Sequence, residues 1–472
     1  MSRVVTGVLV SMAGYAGAVY LFPASAILNA VLVSVTAMLV LSLLKVNVVA
    51  SLLIAAFFAG VIGGLSAEET MVAFNEGISA GGRTALSYAL LGAFAAAIAK
   101  SGLPNMLADK VVIALGSDPG EKQVKRLKIM LISVLLLAAV LSQNLIPVHI
   151  AFIPILIPPL LFVMSKLGID RRLVACALTF GLVTPYMFFP IGFGSLFLND
   201  ILLANIQKSG MAVQGINAPS AMLIPAIGMV LGLIVAMFRY RHRRSYDLAK
   251  LEQAESIDSQ HRQREYSPKV LAIALLAIAA AFSVQLVSDS MIYGGLVGFM
   301  IFSLSGVLDW SETDDTLVQG MKMMAVIGFI MITAGGFAEV LRETGAITSL
   351  VDSSVAIMGN SKAVAAFLML LVGLFITIGI GSSFSTIPII AAIYVPLALQ
   401  LDFSPLAIVA LVGTAAALGD AGSPASDSTL GPTAGLNIDG QHDHMRDSVV
   451  PTFIHYNIPL LGFGWLAAML LG

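Results

Sequence analysis

Charge is what this chain has least of. Only 11% of its 472 residues are Asp, Glu, Lys or Arg, whereas soluble domains carry about 25%. No stretch between the apolar runs is long enough for a separate soluble domain, and no nucleic-acid partner is expected. The net charge of −2 says less than the placement of the charges. Cysteine is almost absent: Cys176 stands alone in an apolar run, so no internal disulfide forms and the residue reads as a packed small side chain. Catalytic signatures are also missing. There is no His-Glu-x-x-His and no Gly-x-Ser-x-Gly. Gly419-Asp420 lacks the preceding glycine of intramembrane aspartyl proteases, because position 417 is Ala, and the Tyr246-Asp247 pair lies in a basic loop. No enzyme and no cofactor is expected.

Hydrophobic sequence is what the chain has in abundance: 58% of residues, with a mean hydropathy of +0.95. A helical span takes about 17–25 apolar residues. Runs of that kind lie at 5–22, 26–44, 47–65, 84–101, 219–238, 270–288, 290–308, 321–341 and 450–471. The first resembles a signal peptide, but it continues into Phe22-Pro23 with no polar spacer and reads as a transmembrane helix. The runs 129–164 and 363–400 are too long for one span and carry Pro and polar residues in the middle, so both read as re-entrant hairpins. The runs 172–206 and 405–434 are interrupted and read as broken spans. The expected fold is an all-α polytopic membrane protein with about eleven transmembrane helices and two hairpins. Its expected parts are N-terminal helices over 1–44, one repeat over 45–238, a basic linker over 239–269 and a second repeat over 270–472.

The linker carries eight Lys or Arg, and the positive-inside rule places it in the cytoplasm. With the hairpins counted as non-crossing, the basic loops at Lys45, 102–128 and Lys166/Arg171/Arg172 fall inside. The loop at 66–83, with three Glu and one Arg, falls outside. The N-terminus is then cytoplasmic and the C-terminus external, in the inner (plasma) membrane.

The halves match without a gap at an offset of 243. Gly63, Leu65, Glu69, Thr70, Gly77, Gly92, Phe94, Ala95 and Gly102 all recur, nine identities in forty positions. One half runs outward where its mate runs inward. That is the inverted-topology repeat of alternating-access carriers.

The chain is organised around Gly413 to Thr433. An apolar helix runs into Gly419-Asp420, breaks at Gly422-Ser423-Pro424, and resumes at Ser426-Asp427-Ser428-Thr429. Polar backbone and charge survive at membrane depth only inside protein or along a wet cavity. The three other breaks carry Ser142, Gln143 and Asn144; Thr184 through Ser195, with Tyr186; and Ser382, Ser383, Ser385 and Thr386. Each frees carbonyls for a hard cation and helix N-termini for an anion. Only the second half puts carboxylates at its break, so the cation site is expected there, with the aromatic first half shaping a cavity or holding an organic solute.

Asp420 is expected deep, where a carboxyl can hold a proton or Na⁺ in turn; the competing reading is a helix cap. Asp427 is the second candidate, again site or cap. Ser423, Ser426, Ser428 and Thr429 offer neutral oxygens to Na⁺. Ser142, Gln143, Asn144, Thr184, Ser382, Ser383, Ser385 and Thr386 form the expected solute site, and His149 a possible proton relay. Glu339 with Arg342 reads as a surface ion pair. Lys100 ends a span and snorkels. His442, Asp443 and His444 lie in a polar loop and read as solvated or pH-sensing, with a metal site the weaker alternative.

LGDAGSPASDST, followed by Asp443-His444, Arg446 and Pro451, resembles the C-terminal signature of NhaC-type Na⁺/H⁺ antiporters. Over the rest of the chain only the span pattern agrees. The order of hairpin and broken helix is similar to the wider ion-transporter superfamily, whose members carry sodium or organic anions. That resemblance implies Na⁺ and H⁺ as transported or coupling ions, with Na⁺ at Asp420 and Asp427, and a homodimer in the lipid bilayer. It leaves a cation-coupled amino-acid or small organic-acid permease as the alternative.

Overall fold

The computed structural model describes residues 29–44, 46–103, 106, 121–144, 153, 156–251, 267–288, 290–358, 361–424 and 426–472. All regular structure among them is helical. Among the described residues seven helices are long and apolar enough to cross a membrane, eight if one bent pair counts as a single span, and three shorter apolar helices accompany them. The protein is a polytopic, all-α membrane protein.

Several elements start where the sequence supplies a side-chain cap. Helix α1 spans Ala30–Leu43, and α2, Val48–Ile62, begins on the side chain of Asn47, which accepts from Val49 N. Helix α3, Ala67–Lys100, opens with a capping box: Ser66 Oγ accepts from Glu69 N while Glu69 accepts from Ser66 N. This corrects the expectation of an external loop at 66–83. Glu68 and Glu69 lie in the first turn of a helix, where the capping box and the helix dipole favour them, and Glu76 lies further along the same helix.

Helices α4 (Glu121–Asn144) and α5 (Pro158–Lys166) precede α6 (Arg171–Phe188), which Asp170 caps at Arg172 N. A 58° bend separates α6 from α7, Phe193–Lys208, whose middle, Leu196–Leu203, is π-helical. Helix α8 is Ala218–Arg239. There follow α9 (Pro268–Ser288), α10 (Met291–Leu304), α11 (Trp310–Glu343), α12 (Ala346–Met358), α13 (Lys362–Ile380), α14 (Ser383–Gln400), α15 (Pro405–Ala417), α16 (Asp427–Leu436) and α17 (His444–Leu471).

The centre of the molecule is the antiparallel crossing of α3 and α11. Both are 34 residues long, and both their starts and their ends lie 243 positions apart. A Cβ on Gly77 would stand 2.3 Å from Gly335 O, and one on Gly92 would stand 2.3 Å from Gly320 O. The second contact is the first with the two helices exchanged at that offset. Close approach through small residues is how helices associate when lipid is the solvent. Helix α15 is apolar all round and buried from Ala407 to Ala417, as expected for a helix surrounded by others. It leads straight into the break at Asp420.

Candidate functional site

The break is set by Gly419. Its φ is +86°, a left-handed conformation that glycine adopts without strain. Its N–H donates to Asn457 Oδ1 at 2.8 Å. A short 3₁₀ turn, Asp420–Gly422, follows, and α16 resumes on Ser426, whose hydroxyl accepts from Ser428 N.

Asp420 is 5% exposed and takes hydrogen bonds from three elements. Tyr186 Oη of α6 donates to Oδ2 at 2.9 Å. The first residue of α14, Ser383, donates to the same oxygen through its N–H at 3.2 Å and also through its hydroxyl. From the break itself Ser426 Oγ donates to Oδ1 at 2.5 Å, with Ser428 Oγ at 3.4 Å. One carboxyl therefore ties together the two broken spans and the start of α14. Thr179 of α6 adds a further tie, donating to Ser428 O at 2.8 Å.

A cavity of about 140 Å³ opens beside this carboxyl. Asp420, Asp427, Ser428 and Ser382 line its polar side, and Tyr88, Phe193 and Phe384 its aromatic side. Tyr88, Tyr186, Phe193, Phe197 and Phe384 form one ring cluster, with Phe193 and Phe384 centroids 4.5 Å apart. Among the described residues the lining includes two acids and no Lys or Arg.

The other predicted residues divide. Ser423 and Thr429 are fully buried, but they turn to backbone: Ser423 Oγ donates to Ile378 O, and Thr429 Oγ1 to Ser423 O and Ser426 O. These two hydroxyl hydrogens brace the break, because freed carbonyls in a buried turn need donors. Ser385 Oγ faces Met331 Sδ of α11 at 3.3 Å, and Thr386 Oγ1 returns to Ser382 O. Neither lines the cavity.

In the first half Gln143 does line it, with its Oε1 buried and unpartnered among the described residues. Ser142 bonds back to Ala139 O and Asn144 to Val140 O. Thr184 Oγ1 is buried with no partner there and lies outside the cavity lining. The first-half breaks still meet, since a Cβ on Gly192 would fall 1.8 Å from Asn144 O. His149 lies outside the described residues. Tyr186 as a donor to Asp420 and Asn457 as the holder of Gly419 were missed. Their sequence signals, a Tyr after Pro185 and an Asn inside a terminal apolar run, carry no partner information.

The polar loop after α16 is also more structured than expected. His442 is 1% exposed, and its Nε2 meets Ser448 Oγ at 2.8 Å. Burial pulls the His442 ring down to about 4, with Arg171 and Arg244 adding to this and Asp447 opposing it. That corrects the reading of His442 as solvated. His444 Nε2 meets Pro424 O at 3.0 Å, reaching the break itself. No cluster of three metal-ligating side chains exists among the described residues. Arg171, fully buried, forms a two-pronged pair with Asp439 at 2.7 Å on both oxygens. Burial would raise the Asp439 carboxyl, but the Arg171 hydrogen bonds and charge hold it below the usual range. The Glu339–Arg342 pair forms at 2.6 Å, with Lys208 3.6 Å from the same carboxylate. Lys100, at the end of α3, lies 3.8 Å from Glu312 near the start of α11.

Comparison with known proteins places this geometry. The sequence profile of a Na⁺/H⁺ antiporter family matches residues 177–465, and that of a second Na⁺-H⁺ antiporter family matches residues 29–115. The uncharacterized membrane protein VP2115 of Vibrio parahaemolyticus is 54% identical over 94% of this chain and 100% of its own. A Haemophilus influenzae membrane protein is 52% identical over 94% and 99%. A Bacillus subtilis protein, YuiF, provisionally named an amino acid transporter, is 48% identical over 94% and 100%. Among solved structures, Neisseria gonorrhoeae MtrF, described within a class of antimetabolite efflux pumps, aligns with a TM-score of 0.55 at 15% identity, over 85% of this chain and 84% of that one. The Alcanivorax borkumensis YdaH transporter, described as having an unusual topology, aligns with 0.51 at 16%, over 86% and 89%. At these identities the structural likeness speaks to the fold alone. The profile match covers more than half of the chain and takes in both broken spans with every hydrogen bond that Asp420 receives from a side chain, and so the chain belongs to the Na⁺/H⁺ antiporter family.

Proposed function

We propose that this secondary transporter exchanges Na⁺ for H⁺ across the inner membrane by alternating access, with Asp420 as the shared carboxyl. The observation that carries this reading is the convergence of α6, α14 and α16 on one buried carboxyl. A proton or a Na⁺ leaving Asp420 changes the charge at a point held by both broken spans at once. Hydroxyls of Tyr186, Ser383, Ser426 and Ser428 can donate to the bare carboxylate, or rotate and offer lone pairs to a cation. Asp427, which lines the same cavity, adds a second negative charge for the ion. The exchange symmetry of the α3–α11 crossing supports two inverted halves, the architecture in which such a site is exposed to one side at a time.

A second reading has its own observation. Much of the cavity wall is aromatic or aliphatic, and such groups do not ligate Na⁺. They suit the apolar body of an organic solute whose ammonium group meets Asp420 and Asp427. The absence of Lys and Arg among the described lining residues disfavours an organic acid. The provisional name of YuiF points the same way.

Everted membrane vesicles with a ΔpH-sensitive dye separate the readings. For the antiporter, Na⁺ alone dissipates the imposed ΔpH. For the permease, Na⁺ alone leaves it intact, and dissipation requires an added amino-bearing solute. No response to either would overturn both.

A further inference from the structure

A second cavity, of about 220 Å³, lies away from the carboxyl site. Its floor is the turn before α6, from Gly168 to Asp170, and the first residues of α6. Its walls are α4 on one side and the end of α8 on the other. Both walls lead away along lipid-facing surface. On α4, Ile129, Val134, Leu137 and Leu141 are exposed, and on α8, Leu231, Ile234, Val235 and Phe238. Exposed aliphatic rows of this kind on candidate spans face hydrocarbon. From the last residue of α8 onward the chain is basic, with Arg239, Arg241, His242, Arg243 and Arg244 in six residues. The cavity therefore sits at the level where hydrocarbon gives way to headgroups.

Its chemistry changes along its length. Ile129, Ile132, Leu173 and Met237 line the apolar part, and Lys128, Arg241 and His242 the other end. Among the described lining residues Asp170 is the one acid, and it is already claimed, by Arg172 at 2.6 Å and by Arg244 at 3.6 Å. The surplus at the headgroup end is cationic. A basic pocket between transmembrane helices at the interface is the form that recognises an acidic lipid headgroup.

We propose that this groove binds one anionic glycerophospholipid from the surrounding bilayer. Its phosphate lies between Lys128 and Arg241, and the upper part of one acyl chain lies against Ile129, Ile132 and Met237. The occupant follows from two facing observations: the cationic end has no free acid to neutralise it, and the apolar end continues into the lipid-facing surface. A soluble anion uses only the first of these.

Native mass spectrometry of the full-length protein released from detergent tests the site, with phosphatidylglycerol, phosphatidylcholine and inorganic phosphate supplied in turn. One phosphatidylglycerol per chain is expected to survive activation that strips phosphatidylcholine, with phosphate failing to compete. In Lys128→Gln/Arg241→Gln, phosphatidylglycerol affinity is expected to fall about 30-fold, the effect of two interfacial cations together. Arg126→Gln/Arg239→Gln removes two exposed flanking cations that do not line the groove and is expected to bind as before. Equal retention of the two lipids, displacement by phosphate, or equal losses in the two double variants would each overturn the proposal. If the first double variant fails to fold, the lipid and phosphate comparison on the unaltered protein decides alone.

Discussion

Asp420 shows how one side chain can report on several elements. Its carboxyl is met by hydroxyls from positions 186, 383, 426 and 428, none of which titrates near neutral pH. If Na⁺ and H⁺ share it, cation binding needs the ionised form, and Na⁺ affinity falls as pH drops below the pKa of that carboxyl. Each further unit is expected to weaken binding about tenfold, roughly 1.4 kcal/mol. Calorimetric titration between pH 6 and 9 reads this slope. Asp420→Asn is expected to abolish both binding and slope while the protein still inserts, whereas a flat profile in the unaltered protein would remove the proton from Asp420. His442 is a second titrating residue. Its folded-state value of about 4 lies below the ordinary value of about 6.5, so the unfolded chain takes up the proton first. Stability is expected to be lost progressively as pH falls from about 6.5 to 4. His442→Gln should flatten that limb of a thermal-stability profile in detergent. Asp420 and Asp427 stand out in the sequence because carboxylates are so scarce here that two beside a Gly-Pro break draw the eye, and the break itself at 419–426 is where the structure has it. Tyr186 was not, since its partner lies 234 positions away and only folding brings them together. The backbone partners of Ser423 and Thr429 were not legible, because a residue type does not say which way its hydroxyl hydrogen turns.

At the scale of elements, the break between α15 and α16 depends on backbone more than on side chains. Gly419 adopts a left-handed conformation, and a Cβ there would lie 2.8 Å from Leu374 O of α13. Gly419→Ala is expected to destabilise by about 1–2 kcal/mol from conformation alone, with more from the contact. Because the residue precedes Asp420, transport is expected to fall further than the stability loss explains. Thermal unfolding and transport measured on the same preparation distinguish this from a purely structural effect, in which both would fall in step. The breaks were readable as interruptions of apolar runs, and their Gly and Pro content located them closely. The helical start of α3 was hidden by its glutamates, although Ser66 and Glu69 at a spacing of three carry the signal of a capping box.

At the scale of the whole molecule, Arg171 joins parts that the chain keeps far apart. It pairs with Asp439, donates to Leu436 O at the end of α16 at 2.9 Å, and stacks on Tyr246 of the basic linker at 4.2 Å. Removing one member of a buried pair typically costs about 3–5 kcal/mol, whereas replacing both with apolar residues is often neutral. Arg171→Met alone is therefore expected to lower thermal stability sharply, and Arg171→Met/Asp439→Leu to restore most of it. Equal loss in the two variants would show that the charges do more than cancel each other. The same pair has a consequence for synthesis. Arg171 emerges from the ribosome 268 residues before Asp439. At about 5–20 residues per second, it waits roughly 13 to 54 s for its counter-charge. Through that interval the nascent chain carries a guanidinium without its carboxylate, and a ribosome that stalls after α8 leaves behind a fragment that lacks Asp439 altogether.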